Sequence, residues 1–329
     1  MVEVKGLLAV WQIKLDLDFH RRRNRRQIPN SNHYIQYMIY YIVSLIFIVS
    51  IEALALKKNC PEEHFILPAL SDCHRWLNCS EIRNINIMNN IGYGTIKNVF
   101  KSNWRGNIVS VSILKHKKYL YDFNAGLNML KLLNSNSFIV QLVGFCHELN
   151  IIVTEYHRFN NAINLKYLIK DSLSALKLCL NYAQILDYLH NNKLGTLVNC
   201  DSNTLHKLLS QLLITNDLNI VLADLDSIEI VKNSTVTCGS NSLQSNNNID
   251  NLFMPPEQIN YGIFNDKSEI WKVPDVCQYF INSSNDDLLK YLLFDVHKLC
   301  KSDIADRRPS AQTLINKYRS LLNDSLLTL

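Results

Sequence analysis

Gly92 and Gly94 frame a turn between two apolar runs, Ile91-Gly92-Tyr93-Gly94-Thr95-Ile96-Lys97-Asn98-Val99-Phe100. Glycine at such a turn lets backbone N–H groups approach anionic oxygens with no Cβ in the way, so the chemistry it suits is the holding of phosphates. A hairpin with a bulge uses the same spacing, and the turn points to phosphate only in company. A second reactive set is Cys60, Cys73, His74 and Cys79. Thiols and an imidazole can hold zinc, but these spacings match no familiar ligand pattern, and disulfides are the expectation. The chain has nine cysteines. Nine is odd, so at least one thiol stays without an intramolecular partner.

The company comes downstream, in order: Ser135 to Cys146 (SNSFIVQLVGFC), Val153-Thr154-Glu155-Tyr156, Val198-Asn199-Cys200-Asp201, Leu222-Ala223-Asp224-Leu225-Asp226, Met254-Pro255-Pro256-Glu257, Lys267-Ser268-Glu269-Ile270-Trp271 and Arg307-Arg308-Pro309-Ser310. From Ile85 to Leu322 this succession resembles the protein-kinase fold. The resemblance implies a two-lobed α+β domain, with Gly92, Gly94 and Val99 over ATP and Glu155 and Tyr156 as the hinge beside it. It makes Asp201 the base that accepts the acceptor hydroxyl's proton and Asp224 the carboxylate that holds Mg2+. Gln211, before Leu-Leu-Ile, stands in for the usual asparagine as a second oxygen ligand, and Asp226 is near enough to share the metal. Glu257 and Arg308 are expected as a buried structural ion pair.

Three departures from that pattern matter. Ser112, in Val109-Ser110-Val111-Ser112, stands where the nucleotide-binding lysine belongs, and the following helix offers Gly126-Leu127 where its acidic partner belongs, with only Asp122 near its start. Lys97 offers a substitute cation from the strand after the glycine turn, at the position the with-no-lysine kinases use. Phosphoryl transfer needs positive charge at the phosphates, whichever strand supplies it. Cys200 replaces the arginine before Asp201, so a phosphorylation-operated switch in the Asn-rich loop Ser240 to Asn251 is not expected. An inert pseudokinase scaffold and a protein Ser/Thr kinase are the rival readings; retention of Asp201, Asp224 and Lys97 favours an active enzyme. Cys-Asp-Ser-Asn, Lys-x-Leu-Ser-Gln-Leu-Leu-Ile, Asp-Leu-Asp and Ile-Trp-Lys-Val-Pro-Asp further resemble the protein O-mannose kinase family. That resemblance implies transfer of the ATP γ-phosphate to the 6-hydroxyl of an O-linked mannose on α-dystroglycan, with Mg2+ or alternatively Mn2+.

The elements that must position these residues can be read from periodicity. Strands are expected at Ile85 to Ile91, Lys97 to Trp104, Ile108 to Leu114, Val140 to Phe145 and Ile151 to Tyr156, with one helix, Tyr119 to Leu133, among them. Helices follow at Ile163 to Ile169, Leu173 to Asn191, Asn203 to Leu213, Asp286 to Cys300 and Ser310 to Leu322, and Lys232 to Asp250 reads as a flexible loop. The chain has 329 residues, 47% hydrophobic, enough for one large domain after an anchor. Tyr34 to Leu56 is long and apolar enough to span a bilayer. Lys5, Lys14, Arg21, Arg22, Arg23, Arg25 and Arg26 precede it and carry most of the net charge of +5, so the positive-inside rule keeps that end cytosolic. The expected organisation is a basic tail (1–33), a transmembrane helix (34–56), a lumenal Cys-containing segment (57–84), an N-lobe (85–156) and a C-lobe (157–325). A type II topology follows, with no nucleic-acid partner, and the family resemblance implies the endoplasmic reticulum membrane as its place. Sequons at Asn78, Asn233, Asn282 and Asn323 agree with a lumenal domain.

Overall fold

The computed structural model describes residues 60–327 except 135, 239–251 and 283–285. The basic tail, the apolar span Tyr34 to Leu56 and the loop Ser240 to Asn251 lie outside these residues. Among the described residues no helix is long and apolar enough to cross a membrane.

The first lobe is built on five antiparallel strands, β3 (Asn86–Tyr93), β4 (Lys97–Trp104), β5 (Asn107–Leu114), β6 (Leu142–Cys146) and β7 (Ile151–Glu155), in the order β3-β4-β5-β7-β6. Val109, Val111 and Ile113 suit a pleated, half-buried surface. The β4–β5 hairpin closes on Arg105 and Gly106, at φ +48° and +84°, the pair of positive values a tight two-residue hairpin turn requires. That turn sets the register Trp104 to Asn107, and hence Val99 to Ser112. Between β5 and β6, helix α2 (Leu120–Leu133) buries Phe123, Leu127, Leu130 and Leu133 along one stripe, the 3.6-residue pattern of a core-facing helix.

The segment before the sheet is part of this lobe's core. Strands β1 (His64–Phe65) and β2 (His74–Arg75) pair with each other, and α1 (Cys79–Arg83) starts on an Asn78 cap. Phe65, Leu67, Leu77 and Ile82 pack with Trp104, Val109, Val111 and Val143. Gln141 receives the backbone N–H of Ile66 and donates to its carbonyl, both at 2.9 Å. Leu77 runs alongside Gly144, where a Cβ would come 2.5 Å from that of Leu77. Disulfides Cys60–Cys73 and Cys79–Cys146 fasten the segment, so these thiols are not a zinc site.

The second lobe forms around α4 (Ser172–His190), capped by Asp171 and buried on most of its circumference. It packs against α8 (Val273–Ile281) and α10 (Ala311–Leu327), and the Cys179 and Cys277 sulfurs meet at the α4–α8 contact. Helix α9 (Asp287–Cys300) also packs on α8, and Cys300 keeps its thiol, buried. Short paired strands supply the floor of the cleft: β8 (Leu197–Asn199) with β11 (Ile228–Ile230), and β9 (Leu212–Ile214) with β10 (Ile220–Leu222). Two expectations need correction here. The helix expected over Asn203 to Leu213 is α5 (Leu205–Gln211), because Leu212 to Ile214 leave it to pair as β9. The expected loop from Lys232 contains β12 (Val236–Thr237), paired with β13 (Ile263–Phe264) and followed by Cys238 in a disulfide with Cys200.

Candidate active site

Strand pairing brings the acids together. Gln211 ends α5 and Asp224 lies just past β10; the Leu212 to Leu222 register and the bond from Ala223 N–H to the Gln211 carbonyl, 2.9 Å, set them side by side. Asp201 follows β8, whose partner β11 begins just after Asp226. Lys97 opens β4, where the Gly94 N–H donates to its carbonyl at 3.0 Å and closes the turn. Its side chain enters the cleft, and Nζ lies 3.0 Å from Asp224 Oδ1 and 2.6 Å from Asp226 Oδ1. Ser112 stays on β5, buried and paired with Val99.

The charges in this triad are set by mutual contact. Burial alone would weaken the Lys97 ammonium, but Asp224 and Asp226 outweigh it and hold its pKa well above the usual lysine range. Burial also opposes ionisation of Asp224, yet Lys97 holds that carboxyl below its ordinary value. Asp226 is the more deeply buried acid, its side chain 5% exposed against 30% for Asp224. Burial pushes it up to about 6, against the pull of Lys97 and with the repulsion of Asp224.

Asp201 is held from the opposite side. Lys207, one turn into α5, reaches its Oδ2 at 2.8 Å, and Gln211 donates through Nε2 to the same oxygen at 3.2 Å and to the Asp201 carbonyl at 2.6 Å. The Gln211 oxygen accepts from Asn199 Nδ2 at 2.8 Å. Gln211, expected as a metal ligand, thus has both ends of its amide engaged within this loop, by Asn199 and by Asp201. Burial raises the Asp201 pKa despite Lys207. Lys207 was missed in the sequence; its one signal was a cation interrupting the apolar repeat of a short helix.

The loop carrying Asp201 is braced from below. Glu269 accepts the Asn199 N–H at 3.0 Å and contacts His190 Nε2 at 2.8 Å. Lys272, fully buried and lowered by burial to about 7, donates to Ser202 Oγ at 2.7 Å. Gln258 reaches Asn203 at 2.8 Å, and the Cys200–Cys238 disulfide ties the loop to the segment that follows Asp226. Glu257 and Arg308 make a two-pronged pair at 2.7 and 2.8 Å, with the guanidinium buried. At the other edge of the cleft, Glu155 accepts the Gln141 N–H at 2.9 Å, and Lys101 lies over the Tyr156 ring. Gly92 backs onto Val99 across the β3–β4 pair.

A hard divalent cation needs oxygen donors facing solvent. Asp224, the more open of the paired acids, fits that need, whereas Asp226 is enclosed and spent on Lys97. Residues 85–280 match the family model described as protein tyrosine and serine/threonine kinase. The fold, the cleft and this match define an ATP-dependent phosphotransferase of the protein-kinase class, which works with ATP and a divalent metal. The chain is 33% identical over 311 residues to protein O-mannose kinase of Macaca fascicularis and 32% identical over 311 residues to that of Homo sapiens, with 87% of each chain covered in both cases. It is 36% identical over 288 residues to the Gallus gallus protein of the same name, with 80% of each covered. Within the kinase class, the chain belongs to the protein O-mannose kinase family.

Proposed function

We propose that this chain transfers the γ-phosphate of ATP to the 6-hydroxyl of an O-linked mannose on an α-dystroglycan-type glycoprotein in the endoplasmic reticulum lumen, using Mg2+. The observation that carries an active reading is the seating of Lys97 between Asp224 and Asp226, which returns to the cleft the cation that Ser112 lacks. In this mechanism Asp201 accepts the acceptor hydroxyl's proton on Oδ1, the oxygen not engaged by Lys207 or Gln211. Those two donors fix the carboxylate's orientation so that proton and base meet in line. Lys97 offsets phosphate charge inside a partly dry cleft, where one fixed cation is worth far more than in water. Mg2+, held at Asp224, would supply further neutralisation of the phosphates.

Incubating the purified domain with ATP, Mg2+ and a panel of O-mannosyl glycopeptides tests this reading. Phosphate mapped to mannose C6, with none on serine- or threonine-only peptides, is the expected result. No turnover on any glycopeptide, with ATP bound, would favour the scaffold reading that Ser112 and Gly126 suggest. The apolar span Tyr34 to Leu56 and the basic residues before it support a type II anchor with a lumenal domain. In intact microsomes a C-terminal tag should resist protease until detergent is added; digestion without detergent would sink that topology.

A further inference from the structure

We infer that Asp226 is the positioning residue for Lys97, and that Gly126 on α2 is the space that admits it. This rests on the reading of Lys97 as the phosphate-neutralising cation.

A lysine entering from β4 must cross the cleft on a long flexible stem, and an unheld ammonium would sample many rotamers. The helix opposite gives it no acid, since Gly126 stands where one would face the cleft. A Cβ at 126 would overlap Asp226 Oδ1 and lie 3.1 Å from the Asp226 Cα. Asp226 thus occupies the volume that a side chain from α2 would otherwise fill. It makes the shorter of the two contacts to Lys97, 2.6 Å against 3.0 Å, from the more enclosed position. The two acids therefore divide the work. Asp226 keeps the ammonium in place, and Asp224 can turn toward a cation without releasing it. The sequence expectation that Asp226 shares the metal is replaced by this one.

The full chain bearing Asp226→Asn, and separately Gly126→Ala, tests the proposal. Alanine for glycine ordinarily stabilises a helix, so Gly126→Ala reads the packing directly. The expected result is a fall in melting temperature of about 4 °C or more, with the penalty largely gone when the same change is made on an Asp226→Gly background. Asp226→Asn should raise the KM for ATP roughly tenfold through loss of the hold on Lys97, leaving the Mg2+ concentration for half-maximal rate within about twofold. A tenfold rise in that Mg2+ requirement with KM for ATP unchanged would make Asp226 a metal ligand and overturn the proposal. So would a Gly126→Ala chain at least as stable as the parent with the same KM. The melting temperatures need no acceptor, and an ATP hydrolysis assay supplies both constants, so failure here is distinguishable from failure of the mannose assignment.

Discussion

Ser112 sits on β5 opposite Val99, while Lys97, on the neighbouring strand β4 and two residues before Val99, carries the charge into the same cleft from a different strand than the usual pattern. Lys97→Met should cost roughly 100-fold or more in kcat/KM, the scale of losing one fixed charge at a phosphate, while Ser112→Ala should change it little. A Lys97→Met enzyme within about twofold of the parent would refute the relocated cation. Lys207 makes a different kind of contribution, because it lowers a carboxyl that burial raises. In the proposed mechanism Asp201 accepts a proton only when ionised, so activity should fall as pH drops through its pKa. Lys207→Met removes the opposing pull, moves that pKa further up, and shifts the acid limb of the kcat profile to higher pH. An acid limb that stays put would mean that Lys207 does not govern the base.

At the scale of elements, the join between the first lobe and the segment before it is tight at Gly144, whose missing Cβ lets Leu77 lie against β6. Gly144→Ala should destabilise the fold by about 1–3 kcal/mol, the usual cost of overpacking, measured by denaturant unfolding. This join was not legible in the sequence. Strands β1 and β2 are two residues each, too short to show a period, and the cysteines beside them read equally well as a separate segment. By contrast Lys97 to Trp104 was legible to the residue, because a long strand between a glycine turn and an Arg-Gly turn has its register fixed at both ends. Helix α8 was hidden by Pro274 near its start, where proline is tolerated but reads as a breaker. Within the site, motif order singled out Asp201, Asp224 and Lys97, and what the structure adds is their placement around one cleft. Gly126 could be read only as a missing acid, since its reason, Asp226, lies far along the chain and leaves no local mark.

Over the whole molecule, one buried guanidinium joins distant parts of the second lobe. Arg308 binds Glu257 at the start of α6 (Pro256–Tyr261) and also donates to the carbonyls of Ser302 and Lys267, both at 2.9 Å. Removing it strands the Glu257 carboxylate, with a cost of about 3–5 kcal/mol. Arg308→Leu should therefore lose stability and activity together in a thermal melt, and a stable but inactive variant would place Arg308 in the chemistry instead. Cross-links carry the same theme, since Cys200–Cys238 and Cys79–Cys146 each close a loop whose open form gains entropy on unfolding.

The fit of Asp226 against bare Gly126 also bears on history. A descendant of this chain could not regain the common lysine–glutamate pair by single substitutions. A glutamate arriving first at 126 would collide with Asp226, losing Asp226 first would release Lys97, and a lysine arriving first at 112 would find no acid on the helix to face. No single substitution of these assembles the common pair, so in packing terms the arrangement works as a ratchet, passable only by concerted changes at several of these positions.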